Sequence, residues 1–424
     1  MEGVMTIPYD PDRYLVLRID GPMPTGLSKL QSMDSLRPEV VEAIRASPPR
    51  LTLEATTLSD KQRAEVLRDP RQEAAPPIPM ALIAPVDCTA ARIERALRAA
   101  KEAGASWGIG AVRAANYTIS AARPKERDVP VAILDTGINK NHSAFVGIKT
   151  WHTQNFIAPG QGDTVNTNVT DVKGHGTHCA STIFGRDVDG VRIGVAPGVT
   201  TAIVAKVLDD NGRGSNEAIS NALQWARLKD ARIISMSIGF DFPAIVERLK
   251  EASWSERGAV SKALQSYRDN VRYFDKLVDF LSFEGRLLIA AAGNDSQRGV
   301  VGVPDQLIDV SMPAATENVI SVGALSRIDT EFSVAPFSNI NPMLSAPGVD
   351  IVGANVSGGL IAMSGTSMAC PHVAGLAALW WDKQLVQNGQ TSADDVKASL
   401  RALAENVGLR VTDQGRGLPV APAP

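Results

Sequence analysis

The chain has 424 residues, of which 44% are hydrophobic and 21% are charged, so it can form a large core of ordinary globular composition. Its formal net charge of -3 provides no basic surface, so neither nucleic acid nor an anionic membrane is an expected partner. The longest apolar runs, such as residues 287–293, are far shorter than the ~20 residues that a membrane span requires.

The first residues and the cysteines favour a reducing compartment. Residues 1–14 are acidic and polar, without the basic and apolar segments of a signal peptide. The three cysteines, Cys88, Cys179 and Cys370, are too few, and odd in number, for a disulfide framework. We therefore expect a cytoplasmic protein, with secretion as the alternative.

The first 88 residues alternate strand-like and helix-like patterns, which predicts a small α+β domain. The helical pattern at 58–70 begins with a capping serine, Ser59, and stops at a proline. An amphipathic pattern at 89–105 predicts a helical connector to the rest of the chain. The other predicted elements are strands at 13–21, 51–57 and 77–86, the last an edge strand with marginal prolines, and a helix at 37–47.

From residue 106 the chain alternates short, almost continuous apolar runs with amphipathic helices, as in a parallel sheet covered on both faces. This pattern predicts an α/β domain over 106–424 with a doubly wound, mainly parallel sheet, whose functional groups gather at the carboxyl ends of the strands. An apolar stripe at helical spacing within 240–285 predicts a helical insertion, either packed on the core or serving as a lid or docking surface. The predicted strands are 129–135, 201–208, 231–239, 286–294 and 318–325.

Ser367, in the segment "SGTSMACPHVAG", could be a helix N-cap or a displayed nucleophile. A nucleophilic serine needs a base, and the base needs an orienting group. His175, flanked by glycines in "GHGTH", is the candidate base, although a surface loop would also explain it. Asp135 ends the predicted strand 129–135 and could orient the imidazole, or could simply cap a turn.

Acyl transfer also needs donors for the developing oxyanion. Asn294 ends another predicted strand and could be one donor, although alone it would suit a turn. The backbone N–H of Ser367 could be a second donor at the start of a helix. Pro371 is expected in the first turn of that helix, where a missing N–H costs little. His178 and His372 are predicted to be packing or hydrogen-bonding residues. A zinc site is a weaker alternative, because His175 and His178 have no matching cysteine or carboxylate pattern.

The blocks "ILDTGI", "GHGTH", "AAAGN" and "SGTSMACPHVAG" occur in the order Asp, His, Asn, Ser, and the sequence here resembles the subtilisin-like serine proteases, or subtilases. The resemblance covers roughly residues 106–420, and the first 88 residues are weakly similar to the inhibitory propeptide of that family. It implies a subtilisin-like fold and a serine endopeptidase that works through an acyl-enzyme intermediate.

The resemblance also implies a role for each candidate residue. Asp135 would orient His175, the general base, and Ser367 would be the nucleophile. Asn294 would donate to the oxyanion. Ser237, Ile238 and Gly239 in "SMSIG" would pair with the backbone of an extended substrate.

The implied partners are a peptide or protein substrate and the chain's own N-terminal domain, acting as an intramolecular inhibitor and chaperone. That domain could be cleaved near residues 84–88 or 103–106, or could stay attached. No cofactor is expected, and calcium is disfavoured because Ala144 stands where the family usually has a carboxylate, although Asp187 and Asp189 could bind a cation.

Substrate preference is less defined by the sequence. Asp305 and Asp309 lie in the segment expected to wall the substrate pocket, which suggests a basic residue on the acyl side of the cleaved bond. The alternatives to a general endopeptidase are a maturation protease for one peptide precursor, an esterase, and a catalytically idle scaffold on the same fold.

Overall fold

The computed structural model describes most of the chain. The helix predicted at 37–47 lies outside the described residues, except for Glu42 and residues 46–47. Among the residues that are described, no helix combines the length and the apolar character that crossing a membrane requires. The described residues are Asp10, 12–21, Glu42, 46–86, 88–119, 128–157, 165–329 and 331–423.

The N-terminal part is a small antiparallel sheet with a helix on one face. Strand β1 pairs along its whole length with β2 and, at its other edge, with β3. Helix α1 starts at a capping box in which Ser59 and Gln62 each bond the backbone of the other. The bounds are β1 (Arg13–Asp20), β2 (Arg50–Thr57), α1 (Asp60–Val66) and β3 (Gln72–Ala75).

This small sheet is packed between its own helix and the rest of the protein. Because successive side chains of a strand point to opposite faces, β1 contributes to two apolar clusters. Tyr14 and Val16 pack with residues of the α1 side. Leu15, Leu17 and Ile19 enter the core that continues into the large domain. The N-terminal part is therefore joined to the large domain by a shared hydrophobic core.

The large domain is built on a mainly parallel sheet. The strand order is β13-β12-β11-β9-β5-β7-β6, with β14 also paired to β12, and β13 runs antiparallel to its neighbour. The remaining strands are β4 (Pro79–Leu82), β5 (Val131–Asp135), β6 (Thr150–Asn155), β7 (Thr201–Lys206), β8 (Arg213–Ser215), β9 (Ile233–Met236), β10 (Ile238–Phe240), β11 (Leu287–Ala291), β12 (Val319–Ile328), β13 (Glu331–Val334), β14 (Leu344–Pro347), β15 (Ile351–Ala354) and β16 (Leu360–Met363). This sheet is the α/β architecture expected from the sequence.

Helices cover the sheet and connect its strands. Helix α2 begins at a capping Thr89 and ends at Gly104, whose φ of 69° lies in the left-handed region that glycine tolerates. The remaining helices are α2 (Ala90–Ala103), α3 (Trp107–Ala111), α4 (His175–Phe184), α5 (Asn216–Leu228), α6 (Phe242–Glu251), α7 (Glu256–Phe283), α8 (Thr366–Asn388), α9 (Ala393–Ala402) and α10 (Val411–Gln414).

The segment 240–285 consists mainly of the helices α6 and α7, so the predicted insertion is helical. The C-terminal half of α7 packs on the core, with Phe274, Val278 and Leu281 fully buried. In its N-terminal half Ala259 and Ala263 are fully buried, whereas Leu264 is 55% exposed. Helix α7 also contacts the N-terminal part, where Arg63 forms a 2.6 Å ion pair with the buried Asp269.

The strand β4 is not the edge strand that the sequence predicted. It is the central strand of a three-stranded antiparallel sheet, with β10 on one side and β8 on the other. Prolines are tolerated there because they lie near the strand ends, at positions 76, 77, 79 and 85. The chain that leaves the N-terminal part therefore passes between two strands of the large domain.

Candidate active site

Asp135 is the last residue of β5 and is almost completely buried. One carboxylate oxygen, Oδ1, accepts hydrogen bonds from the backbone N–H of Thr136 at 2.7 Å and from Nδ1 of His175 at 2.7 Å. The end of a buried parallel strand thus fixes both the position and the orientation of the carboxylate.

His175 is the first residue of α4, and the two glycines beside it have separate physical reasons. Gly174 has a φ of 81°, in the left-handed region. Gly176 packs so closely on the neighbouring loop that an added Cβ would lie 2.2 Å from the carbonyl oxygen of Gly137. The sequence "GHG" therefore lets α4 begin directly beside the carboxylate of Asp135.

The contact with Asp135 also defines the proton positions on the imidazole. An ionised carboxylate only accepts hydrogen bonds, so Nδ1 of His175 must be the donor across the 2.7 Å contact. In a neutral ring this leaves Nε2 without a proton. The free lone pair of Nε2 is the group that could take a proton from a hydroxyl.

A second buried carboxylate, Asp171, forms hydrogen bonds both to the residue that follows Asp135 and to the residues around His175. Its Oδ1 accepts from the hydroxyl of Thr136 at 2.8 Å and from the N–H of Gly174 at 2.8 Å. Its Oδ2 accepts from the N–H and the hydroxyl of Thr177, at 2.8 and 2.7 Å. Asp171 thereby connects the end of β5 to the first turn of α4, and the sequence analysis did not single it out.

Ser367 is the second residue of α8 and is fully buried. Its hydroxyl donates a 2.7 Å hydrogen bond to the carbonyl oxygen of Ile83, in the segment that follows β4. The hydroxyl is therefore in direct contact with a peptide group of the same chain.

Pro371 does not lie in the first turn of α8, as the sequence predicted. The helix starts at Thr366, so Pro371 falls in the second turn and removes the bond that would reach the carbonyl of Ser367, four residues back. That carbonyl instead accepts from Oγ of Ser237 and from Sγ of Cys179, each at 3.3 Å. The proline thus frees a main-chain acceptor beside the serine.

Cys179 links the histidine helix to the serine helix. Its Sγ lies 3.8 Å from Nδ1 of His175, one turn earlier on α4, and 3.3 Å from the carbonyl oxygen of Ser367. Complete burial raises the pKa of this thiol well above its ordinary value, so it stays protonated and acts as a packing group.

Asn294 is held beside Ser367 by the residue that precedes the serine. Its Oδ1 accepts from the N–H and the hydroxyl of Thr366, at 2.9 and 2.8 Å. Its Nδ2 donates to the carbonyl oxygen of Ala84 at 2.8 Å. The amide thus contacts the carbonyl one residue beyond the carbonyl that Ser367 contacts.

The segment 237–239, predicted to pair with a substrate backbone, pairs with β4 and Ile83 of the same chain. The N–H of Ile83 donates to the carbonyl of Ser237 at 3.3 Å. Further along, Ile238 is opposite Leu82 and Gly239 is opposite Ala81 in antiparallel register. An extended segment of the chain therefore occupies this strand edge.

The opposite wall of this cleft was missed from the sequence. The N–H of Leu82 donates to the carbonyl oxygen of Gly212 at 2.8 Å, and β8 continues the pairing. Gly212 has a φ of 79°, and an added Cβ there would lie 3.1 Å from Cβ of Leu82. The turn-like run "DDNGRG" at 209–214 was the available signal, since it places glycines next to a buried strand.

The side chain of Ile83 packs against Gly239, where an added Cβ would lie 3.2 Å from its Cγ1 and 3.3 Å from Oγ of Ser311. Asp305 and Asp309 are exposed and bond the backbone N–H groups of Gly299 and Val310. The residue of the chain's own segment that contacts Ser367 is thus apolar, and the two aspartates bond backbone N–H groups in the structure.

Two other histidines are buried packing residues, as predicted. Nε2 of His178 contacts the carbonyl oxygen of Ile351 at 3.0 Å, and Nδ1 of His372 contacts that of Met368 at 2.8 Å. Burial lowers the pKa of each imidazole to about 4. Both rings are therefore neutral at physiological pH.

Metal ligands are sparse in the part of the chain that the structure describes. The only group of three or more His, Cys, Asp or Glu side chains there that could hold one ion is Asp135, His175 and Cys179, whose ligand atoms lie within 4.8 Å of one another. Asp187 and Asp189, named as possible cation ligands, are not in that group. The group coincides with the histidine and carboxylate described above.

A protein-family model described as the subtilase family matches residues 126–417. Subtilisin DY of Bacillus licheniformis is 32% identical over 304 residues, which are 71% of this chain and 92% of that protein. The major intracellular serine protease of Bacillus subtilis (strain 168) is 33% identical over 262 residues, 60% of this chain and 69% of that protein. Subtilisin-like protease 3 of Pseudogymnoascus destructans (strain ATCC MYA-4855 / 20631-21) is 32% identical over 318 residues, 71% of this chain and 65% of that protein. The family match begins after β4 and helix α2.

Proposed function

The chain belongs to the subtilase family and is a serine protease, and from this premise we propose the role of each residue in the site and of the N-terminal segment. Ser367 attacks the carbonyl carbon of the peptide bond, and Nε2 of His175 takes the hydroxyl proton. Asp135 holds the imidazole through Nδ1 and stabilises the imidazolium. The single observation that carries this assignment is the 2.7 Å contact between Asp135 and His175, on a helix whose Cys179 also contacts the main chain of the buried Ser367.

The reaction then follows the two steps of acyl transfer. The imidazolium of His175 gives its proton to the leaving amine, and the acyl group stays on Oγ of Ser367 as an ester. Water, activated by the neutral imidazole, hydrolyses this ester and restores the hydroxyl. The cysteine and carboxylate side chains near the site are not required as metal ligands in these steps, so we propose that no cofactor takes part and that calcium is not needed.

We assign Asn294 as the side-chain donor to the oxyanion. In the structure its amide bonds the carbonyl of Ala84, whereas the hydroxyl of Ser367 bonds the carbonyl of Ile83. Acylation at Ile83 requires its carbonyl oxygen to turn from the hydroxyl towards this amide. In the structure, Asn294 and Ser367 bond the carbonyls of two successive residues instead of the same one. Because this arrangement must change before acylation, we expect the first turnover to be slow.

The N-terminal part acts as an intramolecular inhibitor in this proposal. Its exit strand β4 fills the cleft between β8 and β10, and Ile83 covers Ser367. We assign the inhibitory part to the residues up to Ile83, slightly before the predicted boundary at residue 88. Residues 89–105 are then the helical connector, residues 106–424 are the catalytic domain, and the bond after Ile83 is the first bond cut.

The substrate is a protein or polypeptide chain, and we propose endopeptidase action. The chain continues past Ser367 without interruption, since the N–H of Val86 donates to the carbonyl of Ser364 at 2.7 Å. Contacts on both sides of the serine support cleavage within a chain. The unpaired thiols of Cys88, Cys179 and Cys370 support a reducing compartment such as the cytoplasm.

The test of this proposal is labelling by a fluorophosphonate, which reacts with serines that are activated as nucleophiles. We expect one adduct, located on Ser367 by peptide mass spectrometry. Protein unfolded by heat before labelling is the control and should gain none. Absence of an adduct in folded protein, including protein from which the residues before Ala84 have been lost, would overturn the proposed mechanism.

Replacing Asn294 with leucine should lower kcat by about 10²–10³-fold, because one oxyanion donor is lost. The KM should change little, since the donor acts chiefly in the transition state. The measurement is steady-state hydrolysis of a peptide ending in the apolar acyl-side residue, with thermal unfolding in parallel. Asn388→Leu, an exposed asparagine at the far end of α8, is the matched control and should leave kcat unchanged. Loss of activity through KM alone would contradict the assignment.

A further inference from the structure

The contacts of the N-terminal segment extend beyond β4. Immediately before that strand, both main-chain groups of Ile78 bond to Asn216, the first residue of α5. The N–H of Ile78 donates to Oδ1 of Asn216 at 3.1 Å, and its carbonyl accepts from the N–H of Asn216 at 3.2 Å. These bonds continue the pairing of β4 with β8 by one residue beyond the pair Pro79 and Ser215.

A second asparagine joins from helix α7. The carbonyl oxygen of Pro76 accepts from Nδ2 of Asn216 at 3.0 Å and from Nδ2 of Asn270 at 3.1 Å. The two carboxamides are bonded to each other, with Nδ2 of Asn216 donating to Oδ1 of Asn270 at 2.6 Å. Both side chains are fully buried. The helical insertion therefore contributes one half of a main-chain clamp.

The clamp matches the donors and acceptors of the segment that it holds. Residues 76, 77 and 79 are prolines and have no N–H, so Ile78 supplies the one main-chain donor in this run. That donor is the one bonded by Asn216. The clamp bonds one N–H and two carbonyl oxygens of the segment. All three of these groups belong to the main chain of Ile78 and Pro76.

We propose that Asn216 and Asn270 form a binding site for the main chain of an extended polypeptide substrate, five and seven residues before the acyl-side residue. The inference rests on the proposed function, in which Ile83 occupies the acyl-side position. When the N-terminal segment leaves, the two carboxamides keep each other and the carbonyl of Ser266 as partners. They lose the N–H of Ile78 and the carbonyl of Pro76, and another chain can replace these main-chain groups. An extended substrate replaces them, whatever its sequence, because the bonds go to the backbone.

The proposal predicts that the enzyme prefers long acyl-side segments. We compare two acetylated peptide 4-nitroanilides, MALI and PPAPMALI. In the longer one, alanine replaces the buried Ile78 so that main-chain contacts dominate the comparison. Using the full chain after it has processed itself, we expect kcat/KM to be about 10-fold higher for the longer peptide, since several additional hydrogen bonds form.

Matched variants of the enzyme show how much of the preference for the longer peptide is due to Asn216 and Asn270. The double change Asn216→Ala with Asn270→Leu should bring the ratio of the two kcat/KM values close to one, and Asn270→Leu alone should lower it part of the way. Ser261→Ala, on the exposed outer face of α7, should keep the 10-fold ratio. Equal ratios in wild type and the double variant would overturn the clamp. Failure to cut either peptide, with no fluorophosphonate adduct, would instead count against the proposed function.

A second readout applies if the attached strand keeps both peptides out of the cleft. In a full-length Ser367→Ala chain, the amide hydrogen of Ile78 should exchange with solvent about 10-fold faster after Asn216→Ala than after Ser261→Ala, because Asn216 accepts its hydrogen bond. Thermal unfolding of each variant shows whether the fold is retained, and Asn270→Leu, which removes one donor to Pro76, serves as a second variant. An unchanged exchange rate in a folded variant would overturn the proposal.

Discussion

A Ser367→Ala chain should remain uncut after Ile83 and should hydrolyse peptides about 10⁶-fold more slowly than wild type. This is the size of the loss that removing the equivalent serine causes in subtilisin. The reason is geometric, because the hydroxyl of Ser367 is the group that touches the Ile83 carbonyl, at 2.7 Å. Alanine removes the nucleophile and leaves the buried helix start in place. The measurement is intact mass over time, together with kcat on a short apolar peptide.

The control for this variant is Ser357→Ala, which changes an exposed serine in the turn between β15 and β16. It should process itself and turn over substrate at the wild-type rate. Wild-type self-cleavage in the Ser367→Ala chain would show that a different nucleophile cuts the bond. Mixing the variant with a small amount of active enzyme separates cleavage within one chain from cleavage between chains.

An Asp135→Asn enzyme should lose about 10⁴-fold in kcat while keeping its fold. The carboxylate accepts a 2.7 Å hydrogen bond from the N–H at Nδ1 of His175, and this leaves Nε2 without a proton and free to act as the base. The amide of asparagine can donate to Nδ1, which favours the other tautomer and places the proton on Nε2. The histidine then cannot take the hydroxyl proton of Ser367.

The measurement for Asp135→Asn is kcat beside thermal unfolding and fluorophosphonate labelling. Labelling should slow in parallel with turnover, because both depend on activation of the same serine. The matched control is Asp187→Asn, an exposed aspartate after α4 that should leave both rates unchanged. A drop in unfolding temperature with an unchanged kcat in Asp135→Asn would assign the carboxylate to stability alone.

The parts of the site that the sequence located are those with strong local patterns. Asp135 closes a fully buried apolar run, so the end of a parallel strand could be assigned without knowing its neighbours. The two glycines beside His175 restrict the backbone at that point, and the structure explains each of them. The local sequence is therefore sufficient to predict where in the fold Asp135 and His175 lie.

The partners of β4 could not be read in the same way. Its pattern of apolar residues and prolines suits any strand, and its pairing partners lie in β8 and β10, far along the chain. Prolines suggested an edge position, but they lie near the ends of the strand, where few N–H groups are needed. Only the folded arrangement shows that Ile83 reaches Ser367.

Asn270 was missed and Pro371 was assigned to the wrong turn, each for its own reason. Asn270 interrupts an apolar stripe on α7, and its carboxamide is satisfied by Asn216 and by the carbonyl of Pro76. Pro371 was assigned to the wrong turn because the start of α8 could not be located to a single residue. A polar residue within an apolar helical stripe is the signal that could have identified Asn270.

In the proposed mechanism, the position of β4 between β8 and β10 restricts which proteins the enzyme can degrade. Once β4 has left, these strands border a slot one strand wide, about 10 Å between their main chains. A helix is as wide as the slot, and its main-chain groups are already bonded, so it cannot pair with either wall. A folded target must therefore open locally before it is cut, and its degradation rate follows the population of the opened form. Each loss of about 1.4 kcal/mol in the opening free energy raises that population tenfold. In the proposed mechanism, damaged and intact copies of one protein are therefore cut at rates set by their folding equilibria, although their sequences are the same.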